Sequence, residues 1–260
     1  MTSDFAQTQA TANRSRAVWC TPASRCELDA CDQHRYIASV TTSSRTSQSA
    51  STTDPASAAQ TRTRQLVLAS ASPRRREILS NAGLRFVIQP STIEEKTRAD
   101  ESPEALAERL AQEKAVDVAA SLIGENPVPV LGADTIVVID NDVLGKPRDE
   151  THAVELLTRL MGRQHRVMTG IALAWSDGRE VLSEVVTSQV EMRPATRDEL
   201  VEYVSLGESL DKAGGYALQG AGQRFVVRVV GSSSNVIGLP LEETLALFER
   251  GGALEAIGRE

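Results

Sequence analysis

The sequence predicts an α/β domain with a mixed sheet and flanking helices, preceded by a long segment that carries no fold signal. Three observations support this. The composition changes sharply near Arg64, and from Gln65 onward short apolar runs alternate with capped helical patterns. Two of the runs are joined only by the tight turn Ser176-Asp177-Gly178, as in a hairpin, whereas others are separated by helices, as parallel strands are.

Residues 1–63 are rich in Ser, Thr, Ala and Gln, so they have little to bury and are expected to be a disordered tail or the product of a misassigned start. Asp4, Glu27, Asp29 and Asp32 count against a mitochondrial leader. Cys20, Cys26 and Cys31 all lie in this segment, and with His34 their spacing matches no standard zinc pattern. The expected domain, 64–260, therefore contains neither a disulfide nor a thiol nucleophile. A net charge of -7 opposes general affinity for nucleic acid or an anionic membrane, so a polyanionic ligand would need a local basic site. No apolar run approaches the ~18 residues of a membrane span, and no signal peptide is evident. The expected compartment is the cytoplasm.

The elements follow in order. Leu66-Val67-Leu68-Ala69 reads as a buried strand, and Ser72 caps a helix with Pro73 at its first position that should end at Gly83. A second helix opens at Ser102-Pro103 and runs to about Ala120. A buried strand is expected from Val128 to Ile139, then a turn at Asp140-Asn141-Asp142. Asp149 caps a third helix closed by Gly162. Strands are expected at Arg166–Trp175 and Glu180–Met192, and Thr196 with Glu199 forms a capping box for a fourth helix. The Gly-rich stretch Gly214–Gly222 leads to a strand at Phe225–Val230, and a last helix begins at Pro240 and stops near Gly251.

Several residues conflict with these local rules. Arg74, Arg75 and Arg76 crowd the first turn of a helix, where the macrodipole and unpaired N–H groups favour negative charge. A phosphate there would relieve the conflict, with Ser70 and Ser72 adding hydroxyl contacts; the plain alternative is a solvated basic patch. Lys114 falls on the apolar stripe Leu106, Leu110 and Val118, where its charge must snorkel or meet an anion. Asp134 interrupts the apolar run Val130–Val138, so a metal or a cation should face it unless it sits at a strand end and reaches solvent. Gly132 allows another group close to the backbone, and Glu94 and Glu95 are further hard oxygen donors. Such ligands suit Mg²⁺ or Mn²⁺ better than zinc, because the domain's only histidines, His152 and His165, read as structural. In Gly145-Lys146-Pro147 the proline extends the lysine and the glycine relieves crowding, which can present an ammonium to phosphate. The glycines of 211–220 permit close approach to a ligand.

Taken in order, Leu68-Ala69-Ser70-Ala71-Ser72-Pro73-Arg74-Arg75, Gly132-Ala133-Asp134-Thr135, Gly145-Lys146-Pro147 and Asp211-Lys212-Ala213-Gly214-Gly215-Tyr216-Ala217-Leu218-Gln219-Gly220 closely resemble the motifs of Maf proteins. Gly238-Leu239-Pro240 is similar to that family's closing signature, and the likeness extends from about Gln65 to Phe248. The resemblance implies a two-lobed fold similar to inosine-triphosphate pyrophosphatases, with a nucleoside triphosphate in a central cleft. It also implies hydrolysis between the α- and β-phosphates with a divalent metal, Mg²⁺ or Mn²⁺, giving a monophosphate and pyrophosphate.

By motif matching, Ser70, Arg75, Glu95, Lys114, Asp134, Lys146 and Gln219 fall on positions associated with activity, with Asp134 as proton acceptor and, with Glu95, as metal ligand. Arg74, Thr135 and Gln219 fall on positions associated with substrate choice. They match the family's dTTP/UTP branch; in its 7-methyl-GTP branch an aromatic residue, Gln and an acidic residue commonly stand there. One metal-bound triphosphate would then answer the conflicts at the arginines, Lys114 and Asp134. The resemblance leaves room for a homodimer, and for two rivals at the same pocket: a nucleotide-binding regulator of cell division with little turnover, and a 7-methyl-GTP pyrophosphatase. An RNA-binding module built on Arg74–Arg76 is disfavoured by the acidic charge and the few aromatics.

Overall fold

The structure, a computed structural model, describes residues 65–257 except 123 and 125. The expected tail, its cysteines and the boundary at 64 lie outside the described residues. Strand β1 (Leu66–Leu68) leads into helix α1 (Pro73–Asn81), then β2 (Phe86–Ile88) and α2 (Pro103–Ser121) follow. Strand β3 (Pro129–Ile139) turns into β4 (Asp142–Leu144), and α3 (Glu150–Leu160) precedes the long hairpin β5 (Gln164–Trp175) and β6 (Leu182–Met192). Helix α4 (Arg197–Ser205), β7 (Val226–Val230), α5 (Ser233–Ile237), α6 (Leu241–Arg250) and α7 (Ala253–Ala256) complete the fold.

The expected caps are present. Ser72, Ser102 and Asp149 each accept a backbone N–H from the first turn of their helix, and Thr196 with Glu199 forms a reciprocal capping box. Elements β2, β4, α5 and α7 were not expected, because segments of three to five residues are too short to display a period. The expected turn at 140–142 is the tip of a hairpin: Asp140 and Asn141 adopt φ of 52° and 65°, and Asp142 already belongs to β4. Strand β6 begins at Leu182 rather than Glu180, since the ladder to β5 starts at the Leu173–Leu182 pair.

The sheet order is β2-β1-β3-β5-β6-β7, parallel from β2 to β3 and antiparallel beyond, which is the mixed sheet expected. Strand β3 has one long neighbour, β5, in register from Pro129–Trp175 to Val138–Arg166. Its other edge is divided between two short strands, β1 opposite Val130 and Leu131 and β4 opposite Val137 to Ile139. Residues 132–136 therefore face no strand on that edge. The gap becomes the floor of a cleft.

Because side chains alternate along a strand, Gly132, Asp134, Ile136 and Val138 face one side of the sheet, and Ala133, Thr135 and Val137 face the other. Helix α2 covers the first side, packing Ala107, Ala111, Ala115 and Val118 on Val130, Ile136, Met168 and Ala172. The second side carries two separate apolar clusters. One gathers α1, α6 and α7 around Leu131 and Ala133; the other gathers α3 and α4 around Val137 and Ile139. These two clusters on one continuous sheet are the two lobes. Glycines set the approach of α2: a Cβ at Gly132 would lie 2.2 Å from the Ala111 carbonyl oxygen, and one at Gly170 would lie 2.1 Å from that of Ala107. The group that Gly132 admits is thus a helix backbone rather than a ligand.

Candidate functional site

The cleft has a volume of about 690 Å³ and is lined from both lobes and from α2. At its floor Asp134 is buried, 6% exposed, and its Oδ1 accepts a hydrogen bond from Lys114 Nζ at 2.6 Å. The lysine sits on the apolar stripe of α2, as its spacing with Leu106, Leu110 and Val118 predicts, and is itself only 9% exposed. Each of the two conflicts read from the sequence is thereby answered by the other residue: a buried cation and a buried anion meet. Lys114 Nζ also contacts Glu95 Oε1 at 2.6 Å, so one ammonium joins two carboxylates. Partial burial would raise the pKa of Glu95, but the hydrogen bond and charge of Lys114, with Lys146 and Arg75 behind it, hold it below the usual carboxylate range. Glu94, its neighbour, points elsewhere: it pairs with Lys96 at 2.7 Å with its side chain 75% exposed, so it is no ligand candidate.

On the opposite wall, the three arginines separate. Arg75 turns inward and is 9% exposed, with Nε donating to the Gly238 carbonyl at 2.8 Å, Nη1 to Ser70 Oγ at 2.9 Å and Nη2 to Thr135 Oγ1 at 3.1 Å. Burial lowers its pKa, with Asp134 opposing the shift, yet guanidinium remains a cation in protein. Arg74 reaches across the mouth to Asp211 at 3.3 Å, and Arg76 is exposed and does not line the cleft. The basic cluster expected from the sequence is thus two residues. Thr135 also contacts Thr169 Oγ1 at 2.9 Å, and Thr169 donates to the Asn235 carbonyl at 3.2 Å.

Lys146 and Gln219 are exposed at the rim and line the same cleft. Gly145 does not relieve crowding, contrary to expectation: no atom lies within 4 Å of a Cβ there, and its carbonyl accepts the Gly214 N–H at 3.1 Å. The glycines of 211–220 serve the protein's own packing. At Gly214, φ is 69° and a Cβ would lie 3.1 Å from Val137, while one at Gly215 would lie 3.4 Å from Pro147. His165 is structural, as expected; its Nε2 lies 2.7 Å from Tyr216 Oη, and burial pushes its pKa down to about 4. His152 accepts the Arg148 N–H at 3.2 Å.

All nine residues singled out for the site, Ser70, Arg74, Arg75, Glu95, Lys114, Asp134, Thr135, Lys146 and Gln219, therefore line one cleft. Sequence reading missed Lys212, Asp211 and Thr97 in the lining, and Thr169 behind it. Lys212 and Asp211 stood inside a recognised motif but broke no local rule, and Thr169 carried no signal of its own. Five cations, Arg74, Arg75, Lys114, Lys146 and Lys212, face three anions, Glu95, Asp134 and Asp211, so an acidic chain presents a locally basic cleft.

Glu95 and Asp134 are hard oxygen donors directed at one point already held by a cation, which fits Mg²⁺ or Mn²⁺. Among the described residues no third Asp, Glu, His or Cys joins them, so phosphate oxygens and water would complete the shell.

Residues 65–251 match the family model described as Maf-like protein. A dTTP/UTP pyrophosphatase from Myxococcus xanthus is 50% identical over 187 residues, covering 72% of this chain and 92% of the relative. A protein of the same description from Pectobacterium atrosepticum is 46% identical over 192 residues, 74% of this chain and 95% of the relative. Among solved structures, a nucleoside-triphosphatase / dITP/XTP pyrophosphatase from Mycobacterium abscessus aligns over 74% of this chain and 97% of its own at 16% identity and a TM-score of 0.35.

Proposed function

We propose that this chain, which belongs to the Maf-like protein family, hydrolyses dTTP and UTP to the monophosphate and pyrophosphate with the help of Mg²⁺ or Mn²⁺. The observation that carries the reading is the floor of the cleft, where Lys114 Nζ lies 2.6 Å from both Asp134 Oδ1 and Glu95 Oε1, with the buried Arg75 guanidinium on the wall beyond. A triphosphate needs cations along its length and a base near its α-phosphorus, and the domain has no cysteine for covalent catalysis. Asp134 accepts the proton of the attacking water; Lys114, Lys146 and Arg75 take up charge on the phosphates and on the departing pyrophosphate. A divalent ion held by Glu95 and Asp134 would neutralise phosphate charge and make the bound water more acidic.

Gln219 and Arg74 stand at the rim, where an amide that both donates and accepts suits the N–H and C=O edge of uracil or thymine. Thr135 is already engaged by Arg75, Thr169 and the Gly238 carbonyl, so it acts on substrate choice through the guanidinium it orients. Among the described residues no helix is long and apolar enough to cross a membrane, and we place the enzyme in the cytoplasm. The test is pyrophosphate release by the purified protein across dTTP, UTP, purine triphosphates and 7-methyl-GTP. Activity highest on the two pyrimidines supports the reading; tight nucleotide binding with no pyrophosphate release overturns it.

A further inference from the structure

Glu95 lies on a stretch without regular structure, between the end of β2 at Ile88 and the start of α2 at Pro103, yet its carboxylate is placed 2.6 Å from Lys114. Nothing within residues 89–102 supplies a helix or strand to hold it there. The stretch is tied instead to one stripe of α2, at Arg109, Glu113 and Asp117, residues spaced by four and thus on one helical face.

Arg109 forms the larger tie. Its Nε and Nη2 donate to the two carboxylate oxygens of Glu101 at 2.6 Å each, Nη1 donates to Glu113 at 3.0 Å, and Nη2 donates to the carbonyl of Lys96 at 2.9 Å. Lys96 is the residue after Glu95. The Arg109 and Glu101 side chains are only 14% and 11% exposed, so this is a shielded bidentate pair rather than a loose surface bridge. Asp100, at φ 61°, makes the reversal that brings Glu101 back to the helix. Asp117 forms the second tie, on the other side of Glu95: its Oδ2 accepts from Ser91 Oγ at 2.7 Å and from the Thr92 N–H at 3.0 Å. Arg98 Nη2 adds a bond to Glu113 Oε1 at 2.8 Å and Gln89 Nε2 one to Ser121 Oγ at 2.8 Å, both more exposed. Glu95 is thus bracketed on each side by fastenings to the helix that also carries Lys114, with Arg109 and Asp117 the principal ones.

We propose that Arg109 and Asp117 are positioning residues that hold the 89–102 segment against α2 so that Glu95 meets Lys114 and Asp134, and that they thereby set the affinity of the site for its divalent metal. The proposal rests on the functional reading above for the metal, but not for the clamp itself. Neither residue lines the cleft, so neither touches substrate. Lysine cannot reproduce the Arg109 fork, and asparagine at 117 keeps one acceptor without the charge.

The test uses the full chain with R109K, D117N and E95Q, alone and with E95Q added to R109K. Amide hydrogen exchange over 90–98 reads the clamp directly; Mn²⁺ binding, followed by electron paramagnetic resonance with α,β-methylene-UTP present, reads the metal. In R109K and D117N, exchange over 90–98 should rise at least ~10-fold and Mn²⁺ should bind ~10- to 100-fold more weakly, the range seen when supports of metal ligands are removed. The kcat at saturating metal should stay within about threefold of the parent, and E95Q should add little to the R109K loss of metal affinity. Unchanged exchange, or unchanged Mn²⁺ binding in both variants, overturns the proposal. So does a loss from R109K and E95Q that simply adds. Should R109K fail to fold, D117N decides alone. If the parent chain releases no pyrophosphate, the functional reading fails, while the exchange result still decides whether the clamp exists.

Discussion

Asp134→Asn removes one carboxylate charge from the cleft floor and keeps the shape of the side chain. General bases contribute roughly 10²- to 10⁴-fold, which is about 3–5 kcal/mol of barrier, so kcat for UTP should fall by at least ~10²-fold. The structural cost should be far smaller. Stripping the partner from a buried charge costs about 3–5 kcal/mol when nothing replaces it, but Lys114 keeps Glu95 at 2.6 Å. The expected loss is about 1 kcal/mol, a fall in melting temperature of about 2–4 °C for a domain of this size. Initial rates of pyrophosphate release at saturating Mg²⁺, with circular dichroism melts on the same samples, separate the two effects. A variant that keeps more than about a tenth of kcat with native melting would refute the base assignment, and a melting temperature lower by some 15 °C or more would refute the claim that Glu95 keeps the lysine paired.

Three further outcomes follow from the same geometry. The parent should show higher kcat/KM for dTTP and UTP than for 7-methyl-GTP, and Gln219→Glu should narrow that ratio by ~10-fold or more without altering the melting temperature, because residue 219 is exposed; a parent preferring 7-methyl-GTP would end this assignment. His165 titrates near 4 in the fold against about 6.5 unfolded, so the unfolded chain binds more protons between those values. Its contribution, about 3 kcal/mol, is complete above pH 6.5 and is lost as pH falls towards 4. Urea midpoints at pH 7, 6 and 5 should show it, and His165→Phe should flatten the trend; parallel curves would count against it. Gly132→Ala forces a Cβ to 2.2 Å from the Ala111 carbonyl and should cost about 3 kcal/mol while lowering kcat, as α2 shifts Lys114 away from Asp134. Gly145→Ala, with open space around it, should change stability by less than about 0.5 kcal/mol; equal losses at both glycines would show that the packing argument fails.

The α/β class, the helix caps at Ser72, Ser102, Asp149 and Thr196, and the conflicts at Arg74, Arg75, Lys114 and Asp134 were legible in the sequence by itself because each leaves a local mark, whereas Thr135, Gln219 and the choice of Glu95 over Glu94 came only from the resemblance to Maf motifs. A cap is a residue type next to a period, and Lys114 and Asp134 stand out as charges in apolar runs. Local pattern could not tell that each of those two charges answers the other, since they are twenty positions apart and meet only when α2 lies on β3. It gave no warning that β1 and β4 share one edge of β3 and leave residues 132–136 open as the cleft floor, because pairing between distant segments leaves no local mark and β4, at three residues, has no period to read. Nor did it reveal that Gly132 and Gly170 admit a helix, that Arg76 faces solvent while Arg75 is buried, or that Arg109 and Asp117 fasten the segment bearing Glu95. Those facts depend on which surfaces are brought together over long separations, and only the packed tertiary structure decides that.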